Sequence, residues 1–234
     1  MSIYKPCDIR GSAGDELTPE LYRGWGVTLG HQVEPGAKFV VGGDVRKSTP
    51  AFLAALVDGL CDAGVDVVAL GTVPTPMIHY ARRRLGAAGC AIVTASHNPA
   101  DVNGLKWMIG DRPPSEKDVR TLKRGVSGKR SGAARNGRAR TEPRAVDVSF
   151  DYVAWLQETW MDAPAVKRPI VLDGMHGAWA CRARRYLQAI FPHTIFSAIH
   201  DIPDSTFGGR VPDCSHFDAL ADLGEAVYQQ RAFL

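Results

Sequence analysis

Short apolar runs alternate with segments of helical periodicity through the first half of the chain. The apolar runs are brief, rich in β-branched residues and bounded by turn residues, which is typical of buried strands. Strands are predicted over 38–42, 65–70 and 87–94. Helices are predicted from Thr18 onward, over 51–63 and over 77–85. Because strands and helices alternate, this half predicts an α/β layered fold.

The same alternation starts again after residue 146. Helices are predicted over 147–161, 178–190 and 217–230, and strands over 169–173 and 194–199. We therefore predict two consecutive three-layer α/β domains with mixed sheets flanked by helices, over 1–140 and 146–234. No strand follows the last predicted helix, so the second domain is expected to be incomplete.

Charge is distributed unevenly around a formal net charge of +3. Residues 112–144 carry eleven Lys and Arg against three acidic residues, with many Gly, Ser and Ala and few apolar side chains. This composition predicts a flexible, solvated segment between the domains, at about 125–145. Binding of nucleic acid is disfavoured, because no aromatic residue interrupts the segment to stack on bases.

Targeting signals are not evident in the sequence. No apolar run approaches the roughly 20 residues that span a bilayer, and the first residues lack the pattern of a secretory signal. The five cysteines show no C-x-x-C spacing that would indicate a zinc or redox site. A cytoplasmic protein with reduced thiols and no membrane association is the expectation.

Polar side chains gather where the predicted strands end. In open α/β sheets, ligands bind beyond the carboxyl ends of the strands. The residues expected at that edge include Asp44, Arg46, Ser96, His97, Asn98, Asn103 and Lys106. Such a cluster suits an anionic ligand such as a phosphate.

Ser96 stands out in this cluster, because it follows the predicted strand over 87–94 and Asn98-Pro99 forces a turn directly after it. The loop does not have the G-x-S-x-G pattern of a serine hydrolase. Considered alone, Ser96 is as readily explained as a residue that satisfies the turn backbone.

Several motifs then agree in order with one family. They are Tyr4–Gly11, Gly42–Ser48, Gly71–Pro76, Thr94–Lys106, Asp173–Ala178 and Pro203–Phe207. Together they resemble the signatures of the α-D-phosphohexomutases, the phosphomannomutase/phosphoglucomutase family, over its N-terminal half. The loop from Thr94 to Lys106 is similar to the family's catalytic serine loop over its whole length.

The resemblance implies reversible phosphoryl transfer between O1 and O6 of a hexose phosphate, with Ser96 carrying the phosphate. It further implies that Arg10 and Lys106 neutralise phosphate oxygens and that His97 assists proton transfer. Arg46, Asn98 and Asn103 are predicted to bind the substrate and its phosphate. Mg²⁺, held in part through the phosphate on Ser96, and a hexose 1,6-bisphosphate activator are the implied cofactors.

The family's metal loop, Asp-Gly-Asp-x-Asp-Arg, has no counterpart in this chain, because the matching stretch stops at Leu234. The chain is therefore expected to be an N-terminal portion of a mutase with negligible turnover alone, and a separate chain could supply the rest. The alternative is a non-catalytic binding or assembly partner that keeps the fold. The residues present do not choose between glucose, mannose and glucosamine phosphates.

Overall fold

The computed structural model describes residues 2–127, 139–164 and 166–233. The chain divides into two compact units. The first contains Met1–Ser96 and Asp101–Asp147, and the second contains His97–Ala100 and Val148–Leu234.

A six-stranded mixed sheet forms the centre of the first unit. Its strands are β1 (Ile9–Ser12), β2 (Lys38–Gly43), β3 (Asp66–Thr72), β4 (Gly89–Val93), β5 (Val102–Ile109) and β6 (Arg144–Ala145). The order across the sheet is β1-β5-β4-β2-β3-β6. Strands β4, β2, β3 and β6 are parallel, whereas β5 is antiparallel to both β4 and β1. The carboxyl ends of β1, β2, β3 and β4 therefore share one edge with the start of β5.

Four helices cover the two faces of this sheet. They are α1 (Pro19–Gly30), α2 (Thr49–Asp62), α3 (Thr75–Arg84) and α4 (Glu116–Ser127). Side chains of α1, α2 and α4 share one core with one face of the sheet, including Trp25, Leu56 and Leu122. Helix α3 packs on β2 and β4 through buried Met77 and Ile78, outside that core. This is the three-layer α/β arrangement that the sequence predicts.

Helices α1 and α2 approach each other closely through glycines. A Cβ on Gly59 would lie 2.0 Å from the carbonyl oxygen of Arg23, and a Cβ on Gly26 would lie 2.3 Å from that of Leu56. Gly24 and Gly26 lie inside α1, so these glycines serve helix packing and form no phosphate-binding turn.

The basic stretch at 112–144 begins with a helix. Helix α4 occupies its first part and buries Val119 and Leu122. The Ser115 amide and hydroxyl donate to Asp118, which caps the helix start. Hydrogen bonds from Arg112 and, next, from the Ser115 amide hold the pKa of Asp118 well below its ordinary value.

At the other end of this stretch, Arg140 binds Asp58 and Asp62 of α2. Arg144 forms an ion pair with Asp66 at 2.9 Å and lies in β6. Arg140 and Arg144 thus pair with acidic side chains of the first unit, and the flexible segment predicted at about 125–145 stays a prediction. Residues 128–138 lie outside the described residues.

Among its described residues, the second unit contains three α-helices and two parallel strands. These are α5 (Ser149–Thr159), β7 (Ile170–Asp173), α6 (Ala183–Ile190), β8 (Phe196–Ile199) and α7 (Ala221–Gln230). Helix α6 begins five residues later than the sequence predicts, because turns occupy the preceding stretch and Cys181 has a left-handed φ of 60°. Short 3₁₀ turns cover Phe207–Gly209 and Phe217–Leu220.

Within the described parts of the chain, no helix is both long and apolar enough to cross a membrane.

Candidate active site

The ends of three neighbouring strands converge at one edge of the first unit's sheet. The Asp44 amide, just past β2, donates to the Val93 carbonyl at the end of β4 at 3.1 Å. The Thr94 amide donates to the Gly104 carbonyl at the start of β5, also at 3.1 Å. Arg10 of β1 pairs with Gly104 in turn. The register therefore brings Arg10 and the loop after β4 to the same level of the sheet.

Ser96 lies in the loop that leaves this edge. It is exposed, and its φ of 59° places it in the left-handed region of backbone conformation. That region is unfavourable for residues with a Cβ, by roughly 1–2 kcal/mol. The Ser96 amide donates to Thr94 Oγ1 at 3.1 Å, and the Ser96 carbonyl accepts from Arg46 Nη2 at 3.0 Å. Surrounding residues thus hold the strained conformation at the predicted nucleophile.

Arg46 is fully buried beside this loop, with an exposed fraction of 0%. Its Nε donates to Asp44 Oδ2 at 2.9 Å, and its Nη1 donates to the Val102 carbonyl at 2.8 Å. Burial lowers the pKa of Arg46 from its ordinary value, and the carboxylate of Asp44 opposes that shift. The guanidinium is therefore bound to the protein's own carbonyls and carboxylate.

Asn103 is also fully buried. Its amide nitrogen donates to Ser48 Oγ at 2.8 Å and to Thr49 Oγ1 at 3.1 Å, and its side-chain oxygen accepts from the Gly104 amide. These bonds tie the start of β5 to the start of α2.

The prediction that Arg46 and Asn103 bind the substrate's phosphate differs from this geometry. Both side chains are enclosed and engaged with protein atoms, so neither presents a polar group to a ligand. Both side chains lie at the strand ends, as expected from the sequence, and their role in binding the substrate's phosphate stays a prediction.

Arg10 and Lys106 meet at a shared carboxylate. Arg10 Nη2 lies 2.8 Å from Asp8 Oδ2, and Lys106 Nζ lies 3.3 Å from the same oxygen. The side chains of Arg10 and Lys106 are 30% and 37% exposed, whereas that of Asp8 is 6% exposed. Two cations with solvent access are thus held together, which suits recognition of a phosphate.

His97 and Asn98 follow Ser96 but group with the second unit. His97 is exposed and Asn98 is half-buried. Their predicted roles in proton transfer and substrate binding stay predictions.

The sequence reasoning missed the anchoring role of Asp8. The signal is a repeated Asp-x-Arg spacing, Asp8-x-Arg10 and Asp44-x-Arg46. Aspartate favours turns in which its side chain accepts from the amide two residues on, as the Arg46 amide donates to Asp44 Oδ1 at 3.1 Å, so a carboxylate can hold the cation that follows it. Both pairs form in the structure, at 2.8 and 2.9 Å.

Across residues 2–127, 139–164 and 166–233, no group of three or more His, Cys, Asp or Glu side chains is arranged to hold a metal ion.

Fold and site together define a class of protein: a three-layer α/β domain with a serine loop at the carboxyl edge of its sheet and paired cations on two strands of that sheet. Residues 2–128 match the family model described as phosphoglucomutase/phosphomannomutase, alpha/beta/alpha domain I. The chain belongs to the phosphoglucomutase/phosphomannomutase family, as the motifs of the sequence predict.

Known relatives extend the similarity beyond that domain. A phosphomannomutase of Escherichia coli is 32% identical over 99% of this chain and 52% of its own length. A Xanthomonas campestris protein named phosphohexose mutases is 33% identical over 91% of this chain and 47% of its own. The chain spans about half the length of the curated relatives it matches.

A crystal structure of a phosphoglucomutase/phosphomannomutase family protein from Burkholderia thailandensis superposes with a TM-score of 0.85 at 29% identity. The match covers 98% of this chain and 50% of that one. The fold of both units therefore resembles the corresponding half of that protein.

Proposed function

We propose that this chain takes part in the interconversion of hexose 1-phosphate and hexose 6-phosphate, with Ser96 as the residue that carries the transferred phosphoryl group. The observation that carries the proposal is the exposed serine held in a left-handed conformation at the end of β4. Strained residues of this kind concentrate at functional sites. Family membership supplies the reaction class.

The proposed step is a displacement at phosphorus. Ser96 Oγ forms a bond to the phosphorus of a sugar phosphate ester, and the bond from phosphorus to the sugar oxygen breaks. The proton of the serine hydroxyl is lost, and the released sugar oxygen gains one. His97, which is exposed, is our candidate for assisting proton transfer at the sugar oxygen, a role that rests on the resemblance to the family.

Arg10 and Lys106 are proposed to balance the charge of the phosphoryl group. Phosphoryl transfer depends mainly on positioning and on neutralising charge over the phosphate oxygens. Cations that are already fixed need no reorganisation during the reaction. The carboxylate of Asp8 supports this proposal, because it holds both cations while leaving each partly exposed.

Mg²⁺ and a hexose 1,6-bisphosphate activator are further parts of the proposal that rest on the family alone. A bound Mg²⁺ would supply extra neutralisation of phosphate charge.

Mass spectrometry of the intact chain tests the proposal. The purified chain is incubated with glucose 1,6-bisphosphate or mannose 1,6-bisphosphate and Mg²⁺, and the modified residue is located by fragmentation. One phosphate on Ser96, absent from Ser96→Ala, is the expected result. The assay requires a single transfer per chain, so it does not depend on turnover.

A chain that takes no phosphate, or takes it on a residue other than Ser96, would contradict the proposal. That outcome would favour the alternative of a non-catalytic protein that keeps the fold as a binding or assembly partner.

A further inference from the structure

Four hydrogen bonds form a closed ring around the main chain of Ser96. The carbonyl of Ser96 accepts from Arg46 Nη2, and Arg46 Nε donates to Asp44 Oδ2. The same carboxylate oxygen accepts from Thr94 Oγ1 at 2.7 Å, and Thr94 Oγ1 accepts from the Ser96 amide at 3.1 Å. The ring thus starts at the carbonyl of Ser96 and returns to its own amide.

The ring holds the backbone of Ser96 in its left-handed conformation, which is unfavourable without such support. A left-handed conformation is disfavoured for any residue with a Cβ and persists only where neighbours hold it. Once the backbone of Ser96 is held, its Oγ is left with three staggered positions about the Cα–Cβ bond. The ring therefore restricts where the proposed nucleophile can lie.

We infer that Asp44, Arg46 and Thr94 form a clamp that positions Ser96 for phosphoryl transfer. The inference rests on the proposed function of Ser96 and extends it to three residues that do not meet the ligand. Arg46 acts as a positioning residue, because its side chain is fully buried and bound to the backbone of the serine loop.

The planar shape of the guanidinium is essential to the clamp. Arg46 Nη2 binds the Ser96 carbonyl at 3.0 Å, while Nη1 binds the Val102 carbonyl at 2.8 Å. One side chain thereby ties the loop after β4 to the start of β5, and Nε is fixed by Asp44. A lysine offers a single ammonium on a flexible stem and does not reproduce this fork.

Three variants test the clamp. Arg46→Lys keeps the charge and loses the fork, and Thr94→Val loses the hydroxyl that joins Ser96 to Asp44. Thr94→Ser keeps that hydroxyl. Arg82→Lys is the matched control, because Arg82 is 8% exposed and binds the Gly110 carbonyl and Asp111 at the opposite edge of the sheet.

The first readout is the rate at which phosphate appears on Ser96 from hexose 1,6-bisphosphate. Arg46→Lys and Thr94→Val should slow it by roughly 10- to 100-fold, because small displacements of a reacting group carry penalties of that size. Thr94→Ser and Arg82→Lys should stay within about threefold of the wild type, since both leave the ring intact.

The second readout is hydrogen exchange at the Ser96 amide, which does not require phosphate transfer. Arg46→Lys loses the bond to the Ser96 carbonyl, and Thr94→Val loses the bond from the Ser96 amide. Each loss should speed exchange of this amide by about tenfold or more. Arg82→Lys should leave it unchanged.

The two readouts separate the proposals. If the wild type takes no phosphate, the proposed function fails, and amide exchange still decides whether the clamp exists. If Arg46→Lys does not fold, the comparison of Thr94→Val with Thr94→Ser decides. Wild-type exchange and wild-type phosphorylation in Thr94→Val would overturn the clamp.

Discussion

Lys106 and Arg10 are partly exposed to solvent, whereas Arg46 is not, and this difference determines what each cation can bind. Arg46 is enclosed, whereas the side chains of Lys106 and Arg10 are 37% and 30% exposed. An enclosed cation holds protein atoms, and a partly exposed one can meet a ligand. The buried carboxylate of Asp8 keeps the two exposed cations side by side before any phosphate arrives.

Replacing Lys106 should therefore affect phosphate transfer much more than folding. We expect Lys106→Met to slow the appearance of phosphate on Ser96 by about 10²- to 10³-fold, the usual cost of losing one group that stabilises a transition state. The measurement is the time course of intact mass with a hexose 1,6-bisphosphate.

Lys38→Met provides the control for this experiment. Lys38 is exposed at the start of β2, at the edge of the sheet away from Ser96, and its ammonium binds only the Leu85 carbonyl among the contacts described. Equal rates for Lys106→Met and Lys38→Met would contradict a role for Lys106 in binding phosphate.

At the level of elements, the crossing of α1 and α2 is the contact most sensitive to one added methyl group. A Cβ on Gly59 would lie 2.0 Å from a backbone carbonyl, so the helices would have to separate. We expect Gly59→Ala to lower the free energy of unfolding by about 1–3 kcal/mol or more, as overpacking does. The measurement is the urea midpoint.

A glycine-to-alanine substitution in α7 should change the free energy of unfolding in the opposite direction. A Cβ on Gly224 would meet no atom within 4 Å, and Gly224 lies inside the helix. Gly224→Ala should therefore raise the free energy of unfolding by about 0.5–1 kcal/mol, because alanine is the better helix former. A shift of both midpoints in one direction would contradict the packing argument.

Most elements of the first unit could be predicted because their periodicity is local. The predicted strand over 38–42 corresponds to β2 at Lys38–Gly43, and the predicted helix over 77–85 corresponds to α3. Helix α4 was missed because its basic composition obscures an apolar stripe of Val119, Leu122 and Val126. Strands β1 and β5 were missed because polar residues interrupt them.

The candidate site was predictable in position but not in the roles of its residues. Ser96 could be located because a buried strand ends just before it in the sequence. The enclosure of Arg46 could not, because it depends on the Ser96 and Val102 carbonyls, 50 and 56 residues further along the chain. Burial of this kind is a tertiary property that local patterns do not encode.

At the scale of the whole molecule, the two units bury their apolar side chains to different extents. Within the described parts of the chain, all eleven large hydrophobic residues that are exposed lie between Phe150 and Phe233. They include Phe150, Met161, Phe217 and Tyr228, each more than three-quarters exposed. The second unit thus has the more apolar surface, and the first unit carries the proposed nucleophile in an exposed loop at the edge of its sheet.

The central claim is that Ser96 exchanges a phosphoryl group with a hexose phosphate. The most direct test follows the return transfer by ³¹P NMR, using the chain phosphorylated on Ser96, glucose 6-phosphate or mannose 6-phosphate, and Mg²⁺. We predict that the phosphoserine and hexose 6-phosphate signals fall together, while each of the two phosphate signals of hexose 1,6-bisphosphate rises by the same amount. An unchanged phosphoserine signal, or release of inorganic phosphate in place of the bisphosphate, would contradict the claim.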